Sequence, residues 1–130
     1  MKYLLDVNAL VAICIRDHEF HDRVSSWLGQ LKGAEFLTCA VTELGLLRIL
    51  AQSASFGLSI EESKRLLSQL KSKGLGEFTF LVDARGAGDL PSWVKGAKQV
   101  TDGHLVDLAK VNDAKLATLD KGIPETLLIP

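Results

Sequence analysis

The chain has 130 residues, 47% of them hydrophobic and 24% charged. That balance excludes disorder, and the length suits one domain, 1–130, whose core needs no staples. With 15 basic and 16 acidic residues the net charge is −1, so the basic footprint usual in nucleic-acid-binding domains is missing.

No apolar run is long enough to cross a bilayer, so no membrane association is expected. The Lys2 start followed by Asp6 is not a signal-peptide pattern, and the expected compartment is the cytoplasm. Residues 3–6 read as a buried strand ending in a carboxylate, and 9–15 as a short helix that Asn8 is able to cap. Cys14 and Cys39 lie in apolar stretches without metal-type spacing, which predicts reduced, buried thiols. A second helix starts at Asp17, repeats Phe20, Val24, Trp27, Leu28 and Leu31 at helical spacing, and stops at Gly33. Residues 35–39 form a second strand. From Val41 the pattern is helical through Leu44, Leu47, Arg48 and Ala51, dissolving at Gln52-Ser53, with Glu43 in the first turn.

After a loop over 53–58, Ser59-Ile60-Glu61-Glu62 is a capping box. It opens a helix that runs through Leu66, Leu67 and Leu70 until Gly74. Residues 78–82 are a third strand. The stretch 83–98, rich in glycine and holding Pro91, is the least regular part and is expected to be a mobile loop. Thr101 caps a helix over 102–111, and 115–119 is a fourth strand ending at Asp120. Asp120-Lys121-Gly122 makes a turn, and 126–129 form a final edge strand.

Strands alternating with helices predict an α/β fold, a mostly parallel sheet covered on both faces. Ligands bind such sheets beyond the carboxyl ends of the strands. Asp6 and Asp120 end strands, while Glu43 and Asp102 occupy first turns of helices, so all four are able to meet at one edge. Four close carboxylates repel strongly at low dielectric, and either take up protons or hold cations. Oxygen donors without His or Cys suit Mg²⁺ or Mn²⁺ and exclude a typical zinc site. The chemistry that follows is displacement at phosphorus by a metal-activated water. The metal also offsets the repulsion between bare carboxylates and a phosphate backbone. On pattern alone the plainer reading prevails, in which two or more of these acids are helix caps and turn residues.

Four blocks change that balance: Leu4-Leu5-Asp6-Val7-Asn8-Ala9-Leu10, Thr42-Glu43-Leu44-Gly45-Leu46-Leu47-Arg48-Ile49-Leu50, Val100-Thr101-Asp102-Gly103-His104-Leu105-Val106-Asp107-Leu108-Ala109 and Leu116-Ala117-Thr118-Leu119-Asp120-Lys121-Gly122-Ile123. In this order they resemble the motif blocks of PIN-domain ribonucleases, and more closely those of the VapC toxins of bacterial toxin–antitoxin pairs. The resemblance implies a three-layer α/β/α sandwich and endonuclease cleavage of RNA. It also implies Mg²⁺ or Mn²⁺ held by Asp6, Glu43, Asp102 and Asp120, a cognate antitoxin, and a homodimer, with which the apolar first two helices are consistent. At Val7 the family usually carries Thr, so a hydroxyl is lost while all four acids remain. Residues 53–98 match no block. Two other functions fit the same fold: a PIN-like module that binds RNA or protein without cutting, and a housekeeping nuclease without an antitoxin.

Around the acids, Asn8 is placed to hydrogen-bond a ligating carboxylate or to cap its helix, and Thr118 and Thr101 are further supporting candidates. Arg48 follows Glu43 by five residues, about 140° round a helix, an offset that can turn it away from the metal and leaves open a pairing with a neighbouring acid or a contact to RNA. Asp107, at the same offset from Asp102, is expected to be solvated, and His104 exposed. Trp27 and Phe20 are expected in the core or a dimer surface.

Overall fold

The computed structural model describes residues 1–73 and 75–130; the helix stop expected at Gly74 lies outside the described residues. In chain order the elements are β1 (Lys2–Leu5), α1 (Val7–Cys14), α2 (His21–Gln30), β2 (Glu35–Cys39), α3 (Ala40–Gln52), α4 (Ile60–Ser72), β3 (Glu77–Leu81), α5 (Val100–Val111), β4 (Lys115–Thr118) and β5 (Leu127–Leu128). Two 3₁₀ turns, Ala87–Asp89 and Ala97–Gln99, punctuate the long connection before α5.

The five strands form one sheet in the order β3-β2-β1-β4-β5, every neighbouring pair parallel. The period-2 alternation of side chains sorts the apolar residues of each strand between two faces. Tyr3, Leu5, Phe36 and Ala117 join the buried residues of α1, α2, α3 and α4. Leu4, Leu37 and Leu116 join Leu105, Val106, Leu108 and Ala109 of α5. The result is a three-layer α/β/α sandwich. Continuous apolar strands are what a sheet covered on both faces requires.

From β1 the chain steps outward through β2 to β3, then crosses to the other side of β1 to lay down β4 and β5. The strand order reverses between β1 and β4, and the crevice beyond their carboxyl ends is the topological switch point of the sheet. Asp6 directly follows β1. Asp120 lies two residues past β4.

Several local expectations need correction. The first helix begins at Val7, and Asp6, extended at φ −66° and ψ 159°, caps it by accepting from the Val7 N–H at 2.8 Å. Asn8 therefore lies inside the helix and is not its cap. The second helix starts at His21; residues 17–20 form turns, with the His18 Nδ1 accepting from the Phe20 N–H at 3.0 Å. It ends at Gln30, ahead of Gly33, whose φ of +73° serves the following turn. The last helix starts at Val100, so Thr101 is an exposed residue within its first turn. Gln99 precedes it and folds back, its Oε1 accepting from the Lys95 N–H at 2.7 Å. Cys39 is buried and Cys14 half-buried, and both are free. No described helix is long and apolar enough to cross a membrane.

Candidate active site

Asp6 is held at the switch point by contacts at both ends of the chain. Its backbone N–H donates to the Ala117 carbonyl at 2.9 Å, continuing the β1–β4 ladder by one step. Its Oδ2 accepts the Thr118 hydroxyl at 2.8 Å. That hydroxyl in turn accepts from Asn8 Nδ2 at 3.1 Å and from the Asp120 N–H at 3.0 Å. Asn8 Oδ1 accepts from the Leu119 N–H at 3.2 Å. One fully buried hydroxyl thus links the capping carboxylate of α1 to the turn that carries Asp120. Asp120 closes this turn by accepting from the Gly122 N–H at 2.8 Å.

Burial raises the Asp6 carboxyl above the ordinary carboxylate range; the hydrogen bonds from Thr118 and Val7 pull it down, and the charge of Asp120 pushes it up. Asp102, in the first turn of α5, is raised as well, by burial and then by the charges of Asp6 and Asp120. The charge of Asp120 thus reaches both Asp6 and Asp102, and that of Asp6 reaches Asp102. A chain with net charge −1 concentrates negative charge at the switch point, and its repulsion opposes folding.

Glu43 is engaged differently. It lies in the first turn of α3, just past β2, and its Oε2 accepts the Thr38 hydroxyl at 2.6 Å. The same oxygen pairs with the ammonium of Lys71 from α4. Nearby, α3 and α1 approach closely: a Cβ built on Gly45 falls 2.8 Å from Val7 Cγ2. The missing hydroxyl at position 7 is thus replaced by a methyl that packs against α3.

The supporting residues divide. Asn8 and Thr118 hold Asp6 and the Asp120 turn, whereas Thr101 is exposed away from that network. Arg48 is exposed. Asp107 and His104 are not the solvated residues expected. The Arg85 guanidinium grips Asp107 with Nε at 2.8 Å and Nη2 at 3.1 Å, and holds its carboxyl below the usual range. His104 Nε2 lies 2.5 Å from Asp83 Oδ2. Both contacts clamp the segment after β3 onto α5. At Gly103, a Cβ would meet Val94 Cγ2 at 2.3 Å, so the absent side chain lets that segment sit beside Asp102. Lys71, Thr38, Arg85 and Asp83 were missed from sequence. The partners of Lys71, Arg85 and Asp83 lie far off in the chain, and Thr38 stands on a strand where Thr is ordinary.

The donors are oxygens only, which suits magnesium or manganese. Among the described residues no three His, Cys, Asp or Glu side chains are gathered as a finished ligand set. Mg²⁺ needs none, since it is held by one or two carboxylates and keeps several waters. The mutual repulsion of the aspartates is what such a cation relieves, so the residues fit it.

A family model for the PIN domain matches residues 3–126. Ribonuclease VapC29 of Mycobacterium tuberculosis is 36% identical over 124 residues, covering 95% of this chain and 89% of its own. Ribonuclease VapC38 of the same species is 35% identical over 126 residues, covering 92% and 86%. In fold the chain resembles VapBC2 from Rickettsia felis, solved bound to a DNA fragment from their promoter. The TM-score is 0.60 at 17% identity, over 98% of this chain and 96% of that one.

Two outcomes follow from the network. Thr118→Val keeps the volume but removes the hydroxyl, leaving Asn8 and the Asp120 N–H short of a partner. Urea denaturation is expected to show a loss of about 1–3 kcal/mol; an unchanged stability contradicts the role of the hydroxyl. A carboxyl raised by folding binds protons more tightly in the folded chain. Its charge therefore costs stability above the raised pKa, and the cost fades as pH falls to the ordinary 3.8. Asp102→Asn is thus expected to raise the unfolding midpoint in EDTA at neutral pH, with the gain shrinking as pH is lowered. A gain equal at every pH, or a loss at neutral pH, contradicts the repulsion.

Proposed function

The chain belongs to the PIN-domain family, and from that premise we propose that it is a metal-dependent endoribonuclease, the toxin of a toxin–antitoxin pair. The observation that carries this reading is the placement of Asp6 directly after β1, Asp120 just past β4 and Asp102 in the first turn of α5, at the switch point of a parallel sheet, where the charges of Asp6 and Asp120 both reach Asp102. The names of the two ribonuclease relatives support the activity.

Asp6, Asp102 and Asp120 would hold Mg²⁺ or Mn²⁺, with Glu43 joining once free of Lys71. The cation would supply positive charge to a phosphodiester and acidify a water molecule enough to make it a nucleophile at neutral pH. The chain's own residues do the rest. Thr118 and the Val7 N–H fix both oxygens of Asp6, so the carboxylate is preorganised, and Asn8 and Thr118 together set the Asp120 turn. The clamp of Arg85 on Asp107 seats the helix that carries Asp102 against the segment beside it. A phosphate backbone approaching this edge meets an acidic surface unless a cation is present, which makes RNA binding metal-dependent as well as cleavage.

The partners in this reading are RNA, a cognate antitoxin and a second copy of the chain, in the cytoplasm. The likeness to VapBC2 supports the antitoxin. The apolar residues of α1 and α2 are taken up by the core, Trp27 stacking edge-on to Tyr3 at 5.2 Å. Support for a homodimer comes instead from α3, where Leu44 and Ile49 remain exposed.

Purified protein is expected to cut RNA with Mg²⁺ or Mn²⁺ and to stop in EDTA. Asp6→Asn is expected to lower the rate by on the order of 100-fold or more, since losing a ligand costs more than losing a group that orients one. Cleavage by Asp6→Asn without metal at the wild-type rate would reject the mechanism, and metal-independent RNA binding without cleavage would favour a binding module.

A further inference from the structure

Lys71 stands in the last turn of α4, and its ammonium donates to the Glu43 oxygen that also accepts the Thr38 hydroxyl. The pair is largely withdrawn from water, with 32% of the Lys71 side chain and 19% of Glu43 exposed. The ring of Phe80, on the edge strand β3, lies with its centroid 5.8 Å from Nζ. A partly desolvated ammonium over an aromatic face gains attraction that an exposed lysine does not. Phe80 itself is 49% exposed. Glu43 and Phe80 thus hold one ammonium in place, on a carboxylate that is itself an expected metal ligand.

An ammonium and a divalent cation draw on the same negative charge. While Lys71 neutralises Glu43, that carboxylate offers little to a second cation. When Glu43 turns to a metal, Lys71 loses its partner. We propose that Lys71 is a positioning residue that holds Glu43 out of the ligand set in the cation-free protein, so that divalent metal and Lys71 compete for it. The proposal rests on the metal-dependent reading above and deepens it: the chain carries its own competitor for its cofactor. The competition limits the repulsion among the acids when metal is scarce and sets the concentration at which the site fills.

Calorimetric titration of Mn²⁺ into the wild-type protein, Lys71→Met, Glu43→Gln and the double variant tests this. Met retains an unbranched apolar chain of similar length and lacks the charge. Removing a competing half-buried pair is expected to tighten binding about fivefold, which is ~1 kcal/mol at 1.4 kcal/mol per decade. In the Glu43→Gln background the same change is expected to alter affinity by about twofold or less, the residue of screened long-range charge. Lys71→Gln gives the same comparison where the Met variant does not fold. Equal tightening in both backgrounds is a general charge effect and overturns the competition. Unchanged or weaker binding by Lys71→Met, with normal binding by the wild type, overturns it too and leaves the metal-dependent reading standing. Absence of Mn²⁺ binding by the wild type removes that reading itself.

Discussion

A buried carboxylate at the end of the central strand is the constraint around which the molecule is arranged. Asp6 is only 6% exposed, and an ion so placed is costly unless hydrogen bonds and a counter-charge meet it. Protein groups meet half of that requirement. The Val7 N–H comes free with the start of α1, because the first helical N–H groups have no partner within the helix. The Thr118 hydroxyl comes from a strand more than a hundred residues later, brought alongside by the parallel pairing of β1 and β4. What remains is the charge itself, and the structure compounds it: the charge of Asp120 bears on Asp6, and both bear on Asp102. A fold that gathers like charges in one place carries a local cost, which is common where stability and function compete.

The remaining acid is treated in the opposite way. Glu43 has both a hydroxyl donor and an ammonium, and its charge is met without a metal ion. The site thus has two halves under different electrostatic rule, aspartates that want a counter-ion and a glutamate that already has one. Between them, α1 and α3 touch through Val7 and Gly45, so small changes in helix packing bear on both halves. On the other side of the sheet, the segment after β3 is tied down by His104 and Asp107, which fixes the helix bearing Asp102 without touching the acids.

Local sequence signals carried most of the fold. Residues 35–39 became a strand with those bounds, and the capping box at Ser59 is present in both directions. Alternation of strands and helices was enough for a parallel sheet, and the expected edge strand at the end of the chain pairs with β4. Three of the failures share one cause. Asp6 and Asn8 are both good caps, and only the strand bond of Asp6 to Ala117 decides which residue enters the helix. His104 and Asp107 face outward by helical count, and become partners only because an irregular segment folds over them. Lys71 belongs to the polar face of an amphipathic helix, where a lysine is ordinary. Each of these depends on a contact between residues distant in the chain, and no local pattern encodes it.

The blocks around Asp6, Glu43, Asp102 and Asp120 pointed to the acids, and tertiary contacts decide how each acid behaves. In the proposed function the three aspartates share one divalent cation. Crystals grown with Mn²⁺ and measured for anomalous scattering test it most directly. A manganese peak among Asp6, Asp102 and Asp120 is the predicted result; a fully ordered map without one, or with manganese bound only elsewhere, contradicts it.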